Sequence, residues 1–435
     1  MQNARVLFAT HSLHFRVHTR VLLTLIVACA VTIALWAEPP TRLLFRDAAT
    51  AQKAGQLDVA LEKLEAARAL RPDYPRLLLE IARVNVAAQH AHAACAALEN
   101  LARIGFAFDP AKDPALAPLS SAPTWPALCA KFAANATPQG RAELAFTLPA
   151  RDGIIETAVA DSHGRWFFAD VRNRCIWTRE ADGTLREFSS VRDGLLGVFS
   201  IALDEQHGRL WAGVAAAPEV KNASAAEQGR AFLAEYDLAN GAFVRALQLS
   251  APERSHVLGS LALAADGSVF ATDSVAPVIW RVAPGATQAD AWLESDQFAS
   301  LQGLAFSADG RALYVADYAN GIWRIDVASK APRLLRAPVN ATFFGIDDLR
   351  CTGRALVAVQ NGVAPSRVLR IDLDEAGEAR TATALAAAQP RLDDLAGGWL
   401  HDGRYYVVGN AGWNLFESPT ATPAPRDVFI FSVTL

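Results

Sequence analysis

Glu156, Gln302 and Asp347 hold the same place in a repeated unit, and carboxylate and amide oxygens converging from separate repeats form a hard-cation site. The repeat shows in its first strands, Ala158-Val159-Ala160-Asp161, Ile201-Ala202-Leu203-Asp204, Leu261-Ala262-Leu263 and Leu304-Ala305-Phe306. Two residues before each start stand Glu156, Phe199, Gly259, Gln302 and, in the fifth unit, Asp347. If these strands line a channel, that position repeats once per unit at one height. Calcium or another divalent cation is the expected ligand of Glu156, Gln302 and Asp347. A plainer reading is solvated polar residues in a water-filled funnel. The second strands end at Asp170, Asp273, Asp317, Asn361 and Asn410. Such residues usually cap their own turn through a side-chain oxygen. Phe199, His256, Asp273, Asp317, Asn361 and Asn410 are expected around the pocket rim. His256 follows no serine elbow, so a nucleophilic triad finds no support.

The elements that must position these residues are short strands separated by Asp-Gly-type turns. Asp161–Gly164, Asp204–Gly208, Asp266-Gly267, Asp309-Gly310, Thr352-Gly353 and Asp402-Gly403 each precede an apolar strand. Six units spaced by about 40–60 residues predict a six-bladed β-propeller over residues 143–435. Ala215–Arg230 reads as an insertion in the second unit. The closing run Val428–Val433 is expected to pair near Leu144–Leu148, which would seal the ring and remove free edges. The fold class is therefore mainly β, preceded by a small helical domain and an N-terminal apolar helix.

Residues 41–136 carry the helical pattern. Gly55, Leu57, Ala60, Leu64, Ala67, Leu70 and Pro72 resemble the second helix of a tetratricopeptide repeat, and Ala94 and Leu98 fall on the same pattern one 34-residue period later. Leu78 and Ala82 belong to the preceding helix, and a capping helix is expected around Trp125–Phe132. This domain reads either as a peptide-docking groove or as a spacer packed on the propeller. Asn135–Gly140 is turn-rich and marks the boundary.

Residues 1–40 read as a targeting segment. A basic flank at Arg16, His18 and Arg20 precedes an apolar run from Val21 to Ala37. An uncleaved anchor, a cleaved signal and a lipoprotein signal ending at Cys29 all remain open. Each exports the body of the protein, to the periplasm in a bacterium, with membrane contact only through residues 21–37. Cys95 and Cys129 either pair there or, with Cys175 and Cys351, stay as free thiols. The 435 residues carry a net charge of -4, which excludes the basic face a nucleic-acid binder needs.

The propeller half resembles the senescence-marker-protein/gluconolactonase superfamily, with strictosidine-synthase-like and phosphotriesterase propellers as relatives. Glu156 with Ala158–Asp161, Gly345-Ile346-Asp347-Asp348-Leu349, Asp317–Ile322, and Val359–Gly362 with Pro365, Arg367 and Val368 carry the resemblance. It implies a divalent ion, commonly calcium, on a Glu, one or two Asn and an Asp. The ion polarises a lactone or ester carbonyl, and the Asp serves as base or nucleophile. Glu156 and Asp347 match two ligands, and Asp347 is the implied catalytic residue. Gly259-Ser260 and Gln302-Gly303 stand where the family shows Asn-Asp and Asn-Gly. Two expectations follow. One is a metal-dependent hydrolase of small lactones or esters with a partly degenerate site. The alternative is a non-catalytic propeller that binds a ligand, or a protein or peptide through the helical repeat.

Overall fold

The computed structural model describes residues 40–416 and 422–435. The apolar run at 21–37 lies outside them. No helix among the described residues is long and apolar enough to cross a membrane.

Six antiparallel sheets follow one another around a ring, each with four principal strands. Blade 1 contains Ile155–Ala160, Trp166–Asp170, Cys175–Arg179 and Leu185–Ser189. The inner strands of blades 2 to 6 are Gly197–Asp204, Leu258–Leu263, Leu301–Phe306, Ile346–Thr352 and Ala396–His401. All six turn glycines have positive φ, from 57° at Gly353 to 81° at Gly267, a conformation that other residues adopt only under strain. In blade 2 the second strand ends at Ala215 and the third begins at Ala231, so the insertion sits between them. Blade 6 closes the ring. Its outer strand is Glu143–Arg151, paired with Arg426–Thr434 so that Leu148 faces Val428 and Phe146 faces Ile430. Gln139–Gly140 adds a short fifth strand to blade 5.

The second strands pack as apolar runs, and in three blades the run ends in a buried aspartate. Asp170, Asp273 and Asp317 accept the indole N–H of Trp177, Trp280 and Trp323 at 3.2, 3.1 and 3.1 Å. Each ties the second strand to the third and caps the turn between them. This corrects the rim assignment of Asp273 and Asp317, which are 0% exposed. His256 is also buried rather than on the rim, at 1% exposure. Its Nδ1 lies 2.6 Å from Asp273 Oδ2 and its Nε2 lies 2.8 Å from the Ala251 carbonyl oxygen. Both partners only accept, so both ring nitrogens must carry protons to satisfy them. Burial works against that charge, but the bonds to Asp273 and Ala251 outweigh it and raise the His256 pKa. A raised folded pKa adds stability that is complete below about pH 6.5 and is lost as pH climbs through the folded value. Long-range 15N–1H spectra should therefore show a doubly protonated His256 at pH 6. A neutral ring at that pH would contradict the assignment.

The helical region contains α1 (Pro40–Lys53), α2 (Leu57–Leu70), α3 (Pro75–Ala87), α4 (Ala91–Arg103) and α5 (Trp125–Asn135). Ala60, Leu64, Ala67, Leu78, Ala82, Ala94 and Leu98 are all buried in one core. Leu57 packs partly buried against it, whereas Gly55, Leu70 and Pro72 are exposed, Leu70 by 53%. Cys95, Cys129, Cys175 and Cys351 are free thiols, so the helical pair is not bridged.

The helices dock on blades 4 and 5. Arg71, just after α2, donates to the backbone and side-chain oxygens of Asn320. Asp73 accepts the Phe343 N–H at 3.2 Å, Ala107 N–H donates to the Ala364 carbonyl at 2.7 Å, and the Tyr74 ring packs at a tilt against Phe344 with centroids 4.5 Å apart. Phe343 lies in the loop that enters the inner strand of blade 5, and Asn320 and Ala364 lie in the turns joining the second and third strands of blades 4 and 5.

Candidate functional site

Each inner strand carries a β-bulge near its start. Ile155 and Thr157 pair with successive residues of the second strand, leaving Glu156 as the extra residue. The same irregularity isolates Phe199, Gly259, Asp347 and Gly397, and in blade 4 it spans Gln302 and Gly303. A bulge frees one residue from the pleat and re-aims its side chain, so six bulges in phase make a ring. Sequence alignment had located five members of this ring, and Gly397 is the sixth.

Five of these residues, Glu156, Phe199, Gly259, Gln302 and Asp347, line a cavity of about 550 Å3. Asn361 lines it as well. Asn410 instead borders a smaller neighbouring cavity of about 210 Å3, because its side chain turns to the Asp427 carbonyl and the Phe429 N–H. Residues that the repeat did not reveal complete the lining: Tyr318, Trp413, Asp393 and Asp394, with Ser274, Ser300 and Ser366. No Arg, Lys or His lines the cavity among the described residues.

Glu156 accepts the Trp413 indole N–H at 2.5 Å. Burial pushes its carboxyl well above the usual range, and the nearby Asp347 charge adds to the effect. Burial likewise raises Asp347, to about 7, with Asp348 contributing. Asn361 Nδ2 donates to Asp347 Oδ2 at 2.8 Å and to the Leu395 carbonyl at 2.9 Å. That leaves Asn361 Oδ1 buried without a hydrogen-bond partner. Asp348, one residue along, shows what compensation looks like. It binds Arg350 at 3.0 Å and accepts from Tyr405 and the Gly398 N–H. Among the described residues Asp347 has no such cation.

Gly259 and Gln302 fit one another. A Cβ at Gly259 would lie 2.4 Å from Ser274 Oγ and 2.9 Å from Gln302 Oε1. The longer glutamine thus fills the space that a side chain at 259 would need. Ser274 Oγ donates to Gln302 Oε1 at 3.1 Å, and Gln302 Nε2 donates to Ser300 Oγ at 3.3 Å.

On the ring itself the donors for a cation are the carboxylates of Glu156 and Asp347 and the Gln302 amide oxygen, joined by the Asn361 amide, an all-oxygen set suited to a hard ion. The unpartnered Asn361 Oδ1 beside Asp347 fits such an ion. Among the described residues no three His, Cys, Asp or Glu side chains group as metal ligands, so a bound ion would lean on amide and water oxygens.

The chain is thus a six-bladed β-propeller with an acidic cavity at one channel mouth. No protein-family model matches it, and no curated protein matches it. Solved structures with a similar course include a PQQ-bound aldose sugar dehydrogenase from Streptomyces coelicolor (12% identity, TM-score 0.48, covering 68% of this chain and 98% of that one). A virginiamycin B lyase from Staphylococcus aureus aligns at 14% identity and TM-score 0.46, over 68% of this chain and 100% of that one. A gluconolactonase from Xanthomonas campestris aligns at 17% identity and TM-score 0.45, over 69% and 93%. At these values the likeness carries no argument about what this chain does.

Proposed function

We propose that the cavity is a divalent-cation site that hydrolyses a small lactone or related ester. The observation that supports this most is the Asn361 Oδ1 atom, buried and unpartnered beside two uncompensated carboxylates. Glu156, Asp347 and the amide oxygens of Asn361 and Gln302 would hold calcium. The ion, when bound, would supply Lewis-acid polarisation of the ester carbonyl. Asp347 takes a proton from the attacking water as the water oxygen bonds to the carbonyl carbon. It then returns that proton to the departing alkoxide oxygen. Its Asn361 bond orients the carboxylate for both transfers. Trp413 holds Glu156 in place, and Phe199 and Tyr318 wall the cavity.

The alternative, ligand binding without turnover, draws on Gln302, whose oxygen already accepts a protein hydroxyl. The targeting reading of residues 1–40 would place either activity in the periplasm. The docked helices could still offer a protein or peptide surface as a tetratricopeptide-like unit.

Calcium separates these readings. At 100 times Kd a site specific to the folded state adds about 2.7 kcal/mol. The full chain should melt several degrees higher in millimolar calcium, and aliphatic lactones should be hydrolysed only in its presence. A calcium shift without lactone turnover would favour the binding reading. No shift at all would remove the cation and the hydrolysis that depends on it.

A further inference from the structure

Another cavity lies on the seam between the helices and blade 5, with a volume of about 330 Å3. Its polar lining is Arg103, Arg367, Asn135, Gln139, Asn340 and Thr383, with no carboxylate. Arg367 forms its floor and is only 7% exposed. Its Nε donates to Gln360 Oε1 at 2.6 Å. Gln360 is itself fixed by donating to the Thr342 and Phe344 carbonyls. Among the described residues the terminal nitrogens of Arg367 reach only the Gly105 and Ile104 carbonyls, each at 3.3 Å. A guanidinium has five N–H groups, so three donated bonds leave two unused. Ile104 and Gly105 follow the C-terminus of α4, whose dipole contributes a partial negative charge of about one half. That offsets only part of a full positive charge. Burial lowers the Arg367 pKa to about 10, and no carboxylate acts against that fall. Arg103, exposed, adds a second cation to the lining and among the described residues bonds only Asn100.

We infer that this seam cavity binds a small oxyanion, phosphate- or carboxylate-like, between Arg367 and Arg103, and that the anion ties the helical region to the propeller. Arginine suits this role because its planar fork matches two oxygens at once. The volume leaves room for a short organic body on the anion. This site is separate from the acidic channel mouth and does not depend on the reading of that cavity.

The test uses the full chain in thermal melts and calorimetric titrations with inorganic phosphate, sulfate and succinate, against chloride at equal ionic strength. At least one oxyanion should raise the melting temperature beyond chloride. Phosphate and sulfate without succinate would mark a tetrahedral anion, and succinate alone a carboxylate, each consistent with the site. Arg367→Met should abolish the gain. Because that change also removes the clasp on α4 and could prevent folding, Arg103→Gln is the decisive variant. It should weaken binding at least about tenfold while the protein without anion melts as the wild type does. No gain over chloride up to about 50 mM, or an undiminished gain in Arg103→Gln, would overturn the site.

Discussion

Asp317→Ala should destabilise the full chain by about 3–5 kcal/mol, measured by chemical denaturation. The buried carboxylate accepts five bonds: from the Ala299, Ser300 and Ala319 N–H groups, the Asn320 amide and the Trp323 indole. Removing it strands buried donors, and each costs about 1–3 kcal/mol when left unmade. The damage should spread to the helices, because Asn320 is also the acceptor for Arg71. Proteolysis should therefore release the helical region more readily in this variant. Asp309→Ala, at an exposed turn in the same blade, serves as the control and should change little. Equal effects of the two substitutions would mean that Asp317 is only a turn former.

That contrast explains what the sequence could and could not show. Asp309 and Asp317 look alike in the repeat, and period and turn chemistry identify the blade that holds both. The same period located Glu156, Phe199, Gly259, Gln302 and Asp347, because a bulge recurring at one register keeps their spacing from the strand start constant. Burial is another matter. Asp317 faces a tryptophan six residues on, and His256 faces Asp273 across the blade, so strand-end position suggested a rim where a tie exists. Asp-to-Trp spacing in blades 1, 3 and 4 was the available signal. Trp413 and Asp394 were out of reach because they lie in loops, where the repeat breaks down. The docking of Arg71 on Asn320 joins residues far apart in the chain, and nothing local encodes such a contact.

Without calcium, Asp347→Asn should stabilise the protein at pH 8, by about 1–3 kcal/mol once partial solvent screening is allowed for. The sign follows from linkage. Burial beside Asp348 and Asp394 raises Asp347 to about 7 in the folded state, whereas an unfolded aspartate titrates near pH 3.9. The folded chain binds the extra proton between those values, so the wild type loses stability as pH rises from about 4 to about 7. Asparagine keeps an oxygen for the Asn361 amide but carries no charge, and it also relieves Glu156, which Asp347 pushes upward. The gap between variant and wild type should therefore be near zero at pH 4 and full by pH 8. Glu156→Gln should act in the same direction. In calcium the order should reverse, because an ion compensates the wild-type pair and finds too few charges in either variant. A pair kept only for folding would not be destabilising, so a stabilising substitution that removes the calcium response would be the mark of a functional site. If Asp347→Asn instead lowers stability at pH 8 without calcium, the two carboxylates are already compensated and the case for a cation between them fails.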